Sequence, residues 1–315
     1  CRSDNMAGLA RRIGRVGARI EAVEDRINAR LPASLKIGLG VLYWFSTRKS
    51  ARFDAFADQP AVRRWCDLAT VTLLILQVGT LALVTVAAGN ALGREPTALN
   101  DPVNTIAIPG VNEFMPLAST PYIVLGLVVA TVVHEGGHAL ACRAEGVPVE
   151  EWGVALLGGV VPLAGYVLPD DALDEADART RMRVFSLGVQ HNLAVTVIAG
   201  AVLLSSLTAS PTEAFLTYFG WAATDGTAPT AAAVAALGPL TNACFWLVLL
   251  NANVGLLNAL PVGPLDGGRV LGESIDAVGA RVAYTVPPVA KRLAIYGTSS
   301  AVVGLLVVAI VGPYL

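Results

Sequence analysis

The chain has 315 residues, 54% hydrophobic and only 15% charged, with a formal net charge of −2 and a mean hydropathy of +0.61. That balance excludes an ordinary soluble domain and is that of a membrane protein. The near-neutral charge argues neither for nor against nucleic acid, and none is expected as a partner. Cys1, Cys66, Cys142 and Cys244 show no paired spacing, which argues against a disulfide framework or a thiolate metal site.

Residues 1–67 read as a basic, cytoplasmic N-terminal region, carrying thirteen of the 22 Lys and Arg. This stretch is long and charged, so no cleavable signal peptide is expected, and Met6 offers a start. Leu9, Ile13, Val16, Ile20, Val23 and Ile27 recur at spacings of four and three, with arginines on the other face. The pattern fits an amphipathic helix on a membrane surface or a short coiled-coil contact between protomers. The stretch 37–47 (IGLGVLYWFST) is too short to span and is expected to lie in the interface, where Tyr43 and Trp44 fit.

Residues 68–315 read as a membrane-embedded core. The stretches 68–93, 114–133, 184–212, 226–265 and 293–315 carry no Asp, Glu, Lys or Arg, and each can hold a spanning helix of about 20 residues. Spans are expected near 68–92, 119–143, 184–208, 242–260 and 293–312. The apolar stretch 152–169 is broken by Gly158, Gly159, Pro162 and Gly165 and reads as a re-entrant hairpin, tolerated at membrane depth only under cover of protein or water. The fold class expected is an all-α polytopic membrane protein with about five transmembrane helices and a small re-entrant β-hairpin. Basic residues alternate in the same sense: four lie in 143–183 and four in 261–292, against one in 93–119 and none in 209–230. This is the positive-inside pattern. It puts the N-terminus and the segments 143–183 and 261–292 in the cytoplasm of a multi-pass cell-membrane protein.

Two of the three histidines fall in one apolar run, "VVHEGGHALAC" at 132–142. His134-Glu135-Gly136-Gly137-His138 is HExxH. Residues four apart on a helix share a face about 6 Å apart along the axis, so both imidazoles can ligate one zinc ion while Glu135 holds and deprotonates water. A histidine pair satisfied by interhelical hydrogen bonds is the plainer alternative, but it leaves Glu135 buried without purpose. A third ligand is needed, and Asp266 is the natural candidate. It is the first charge after a 40-residue uncharged run, in "NALPVGPLDGGRV". There Pro261 and Pro264 break the helix and Gly267-Gly268 let the backbone turn. By charge pattern both motifs lie at the cytoplasmic side. A helix cap is the plainer role for Asp266. Cys142, four residues past His138, reads as a small packing residue, since a catalytic zinc keeps an open position.

The chain resembles the site-2 protease family of intramembrane zinc metalloproteases. The matching residues are His134-Glu135-Gly136-Gly137-His138 and a downstream Asn-x-x-Pro-x-x-x-x-Asp-Gly, here Asn258, Pro261, Asp266 and Gly267. The stretches "SLGVQHNL" (186–193) and "IPGVNEFMPL" (108–117) and the 152–169 hairpin also look like archaeal and related members. The inter-span loops are too short for a PDZ domain. The resemblance implies one Zn²⁺ per chain on His134, His138 and Asp266. It makes Glu135 the base that activates water and passes its proton to the leaving amine, and gives Asn258 a part in stabilising the oxyanion. It implies a substrate that is the transmembrane helix of a membrane-anchored regulator, with the lipid bilayer as the other partner. The hairpin, with Gly158 and Gly159, is expected to pair with the unwound substrate as an added strand. His191 and Asn192 are expected near the cavity, Asn192 along the substrate path. Leu187-Gly188-Val189 departs from the Ala-Gly-Pro of many relatives, which bears on subgroup. Two other readings carry an HExxH site: a prenyl-protein-processing type of membrane protease, which takes its third ligand from a Glu, and a non-proteolytic metal-binding membrane protein, which has no use for Glu135.

Overall fold

Each span announces its start. Proline stands in the first two positions of four of the long helices, where its missing N–H costs nothing. In a computed structural model that describes residues 22–38, 41–157, 161–224 and 226–315, the helices are α1 (Ala51–Ala57), α2 (Pro60–Ala91), α3 (Thr120–Ala144), α4 (Ala172–Glu175), α5 (Ala178–Leu203), α6 (Pro211–Phe219), α7 (Ala231–Ala236), α8 (Pro239–Ala259), α9 (Asp266–Arg281) and α10 (Pro288–Val311). Five of them, α2, α3, α5, α8 and α10, are long and apolar enough to cross a membrane. The chain is a multi-pass membrane protein. Residues 22–28 are also helical; the amphipathic segment up to residue 21 and the hairpin glycines Gly158 and Gly159 lie outside the described residues.

Two helices start well before their apolar runs. α2 begins eight residues ahead of the expected 68, and α5 begins at Ala178 rather than 184. Arg179, Arg181 and Arg183 ride on the first turns of α5, because carboxylates await them. Arg183 bonds Asp67 at 2.7 Å and Glu145 at 2.7 Å, Arg179 bonds Asp67 at 3.0 Å, and Arg181 bonds Glu273 at 2.7 Å. Asp177 caps α5 by accepting from the Thr180 N–H at 2.7 Å; that bond holds its carboxyl below the usual range. α5 ends at Leu203 although the apolar run continues. There the Ser205 and Thr208 hydroxyls donate back to the Val202 and Leu203 carbonyls at 2.6 and 2.9 Å and satisfy orphan acceptors.

α5 is the central element, packed against α2, α3, α8 and α9, and α3 packs on α8. Small residues set the crossings. A Cβ on Gly126 would lie 2.7 Å from Leu250 Cδ1 and 3.0 Å from the Trp246 carbonyl; one on Gly137 would lie 2.6 Å from the Leu187 carbonyl. Backbones this close are the usual basis of helix association in a membrane, where apolar burial between helices gains little. The outer faces are apolar and exposed, as with Ile75 and Val78 on α2.

The hairpin is part of a larger sheet. Strands β1 (Leu35–Gly38), β2 (Val41–Ser46), β3 (Val149–Leu157) and β4 (Val161–Pro169) form an antiparallel sheet in the order β1-β2-β3-β4. The stretch 37–47 is therefore not a segment lying alone in the interface. Val41↔Leu157 through Ser46↔Trp152 pair β2 with β3, and the β-branched and aromatic residues that suggested an interfacial anchor suit a strand equally. At the outer edge the Asn28 side chain accepts from the Ile37 N–H at 2.6 Å and donates to its carbonyl at 2.9 Å, which closes β1 to further pairing. β4 is the other edge and lies along α3.

Candidate active site

α3 carries His134 and His138 one turn apart on the face toward α5. Each ring is fixed through Nδ1. His138 Nδ1 lies 2.8 Å from the Val184 carbonyl, an acceptor only, so Nδ1 donates. His134 Nδ1 lies 2.7 Å from Asn192 Oδ1. The Asn192 amide nitrogen donates to the Ala130 carbonyl at 2.9 Å and to Asn251 Oδ1 at 3.1 Å. Those two acceptors fix the amide's orientation, so Oδ1 accepts and His134 Nδ1 donates. In both neutral rings the lone pair is then on Nε2.

Both Nε2 atoms point at one carboxylate. Asp266 Oδ2 lies 3.1 Å from His134 Nε2 and 3.4 Å from His138 Nε2. It is buried with no hydrogen-bond partner. Three lone-pair-bearing atoms thus face each other across little more than 3 Å in a largely buried site, an arrangement that repels unless a cation lies among them. Two imidazoles and a carboxylate, each imidazole held by a second hydrogen bond, suit zinc with a position left for water.

The loop that delivers Asp266 is tightly built. A Cβ on Gly267 would fall 2.3 Å from the Ala259 carbonyl and one on Gly268 2.2 Å from that of Val262. The Gln77 side chain of α2 donates to the Gly267 carbonyl, and Gly263 N–H donates to Ser299 of α10 at 2.9 Å. Two further spans therefore position the aspartate.

Glu135 also has a ligand-type atom within 4.8 Å of those of His134 and His138. Asp266 is the stronger candidate for the third ligand, because it touches both Nε2 atoms, whereas Glu135 lines the adjoining cavity. Glu135 lines a cavity of about 460 Å³ bounded by α3, by β3 and β4, and by Thr47–Asp54. Gly165 of β4 sits over it, where a Cβ would fall 2.5 Å from Thr131 Cγ2 and 3.2 Å from Glu135 Cγ. A carboxylate beside a metal-type site and open to a cavity can take a proton from water and return it.

A model of peptidase family M50 matches residues 122–296, more than half of the chain. The chain belongs to peptidase family M50. Membership of a peptidase family agrees with the resemblance read from its motifs. It is similar to "Putative zinc metalloprotease Rip3" of Mycobacterium tuberculosis, in the Erdman and H37Rv strains alike. The identity is 29% over 190 residues, which are 58% of this chain and 39% of the relative. The chain thus spans well under half the length of the curated relatives it matches. No solved structure matches it.

Within this M50 chain the remaining expected residues take distinct places. Asn192, expected along the substrate path, is fully buried and instead carries His134. His191 turns from the ligand group, its Nδ1 3.1 Å from the Val133 carbonyl. Asn258 lies in the last turn of α8, half-buried, and donates to Val254 in its own helix at 3.0 Å. Cys142 is buried in an apolar cluster with Ala141 and Leu187. Asn251, an asparagine in an apolar span for which interhelical hydrogen bonding is the plain reading, makes that bond as the second support of Asn192. Replacing Asn192 by alanine should free the His134 ring and weaken zinc binding about 10–100-fold. Chelator competition measures this, and unchanged affinity would refute the relay.

Proposed function

We propose that this chain hydrolyses a peptide bond within a transmembrane segment of a membrane-anchored regulatory protein, using one zinc ion per chain. The observation that carries the reading is the convergence of His134 Nε2, His138 Nε2 and Asp266 Oδ2 beside Glu135, which itself lines a largely apolar cavity. The zinc, when bound, supplies a Lewis acid that polarises the scissile carbonyl and acidifies water. Glu135 accepts the proton from the attacking water and delivers it to the leaving nitrogen. Asn258 turns its amide from Val254 to the oxyanion as charge develops. A peptide bond in a helix is shielded, so the substrate unwinds locally, and the edge strand β4 beside Glu135 offers it a partner. The charge alternation supports a site on the cytoplasmic side, with the N-terminus on that side as well.

The test is cleavage of a single-span substrate by purified protein, wild type against Glu135→Gln, with zinc measured in both. The variant should keep its zinc and lose about 10²–10⁴ in rate. Equal rates would remove Glu135 from the chemistry. Cleavage by neither, with zinc in both, would count for a metal-binding role instead.

A further inference from the structure

The outward face of α3 runs without a break from the exterior of the bundle into the cavity. Leu125, Val128 and Val132 lie on it and are exposed, Val132 at 63%. Glu135, Gly136, Ala139 and Arg143 follow on the same face and line the cavity; the spacing of three and four keeps them in one stripe. The exposed faces of α2 and α10 include none of the residues that line this cavity. The other glycines of α3 are accounted for, since Gly126 and Gly137 admit neighbouring helices at under 3 Å. Gly136 is different. Among the described residues, nothing lies within 4 Å of where its Cβ would be. A glycine in a helix interior costs roughly 0.5–1 kcal/mol relative to alanine, and no contact among the described residues explains this one.

We propose that the stripe from Leu125 to Gly136 is the docking surface for the substrate's transmembrane helix, and that Gly136 is a specificity-determining residue that leaves space for a large apolar side chain beside the scissile bond. The proposal rests on the peptidase reading above. The occupant is an apolar membrane helix because the stripe is uncharged, spans about 16 Å of helix and ends at Glu135. A helix lying on Leu125, Val128 and Val132 reaches the base without leaving the bilayer. A Leu- or Phe-sized side chain fills the gap over Gly136, and that contact exists only while the adjacent peptide bond is against Glu135.

Two measurements test it in the full chain. The first places a benzophenone side chain at position 132 or, as a control, at position 307 of α10. It uses the Glu135→Gln protein in liposomes with a single-span peptide. Crosslinking in clear excess from 132 supports the surface; equal yields, meaning collision through lipid, overturn it. The second compares cleavage of substrates with Ala, Leu or Phe at each position around the scissile bond. Wild type should favour Leu or Phe at one position by at least about tenfold, and Gly136→Leu should reverse that order while retaining zinc. An unchanged order in the variant overturns the role of Gly136. Selective crosslinking from 132 without cleavage of any substrate would leave the docking surface standing and defeat the peptidase reading.

Discussion

Asp266→Ala should leave a folded chain that holds no zinc at the α3 histidines and cleaves nothing above background. The two rings stay anchored through Nδ1 to Val184 and Asn192, so the remaining pair keeps its geometry but offers only two ligands. Losing a supporting hydrogen bond typically costs about 10–100-fold in metal affinity, and losing a ligand together with the carboxylate that touches both rings must cost more. Stability responds differently. Asp266 stands in the first turn of α9, where a carboxylate gains about 0.3–1 kcal/mol from the helix dipole. Its burial without a hydrogen-bond partner costs several kcal/mol whenever no cation is present. The second effect is larger, so the metal-free variant should melt no lower than the metal-free parent. Zinc titration followed by thermal melting checks both halves: wild type should gain stability with zinc and the variant should not. A variant that still binds stoichiometric zinc would transfer the third ligand to Glu135.

The parts of this site that could be read from sequence are those whose chemistry is out of place. Two histidines and a glutamate in an apolar run, or an aspartate closing a 40-residue uncharged stretch, need a reason, and their convergence on one metal-type cluster offers it. The hairpin was visible through its glycines and proline. What could not be read depends on partners remote in sequence. β2 pairs with β3 more than a hundred residues away, and nothing in 37–47 distinguishes such a strand from an interfacial segment. The arginines read as a cytoplasmic-side signal also hid the start of α5, because a charge count does not say whether a carboxylate waits beside the helix. Asn192 looked like a cavity residue because its role depends on how α5 is rotated against α3. Asn258 keeps its expected position, but its amide bonds its own helix.

A glycine is harder still to read, because its contribution is the atom it lacks. Gly188 is the sharpest case, and Gly188→Ala should abolish zinc binding and activity without unfolding the chain. The added Cβ would lie 2.8 Å from His138 Nε2, 2.9 Å from His138 Cε1 and 3.0 Å from His134 Cε1. The rings cannot swing aside without breaking their bonds to Val184 and Asn192. α5 cannot retreat easily either, because it is bound to α3 through those same bonds and through the close crossing at Gly137. Overpacking by one methyl group costs about 1–3 kcal/mol in a well-packed interior, which a bundle of five spans can absorb. A shift of the two Nε2 atoms by a few tenths of an ångström is different, because zinc–nitrogen bonds hold to within about 0.2 Å. Gly200→Ala on the same helix is the control, since its Cβ would meet nothing closer than Val248 at 3.8 Å. Circular dichroism and zinc content of the two variants decide the matter. Loss of zinc in Gly188→Ala alone places the methyl among the ligands; equal zinc in both would mean that the α3–α5 contact yields more readily than its hydrogen bonds imply.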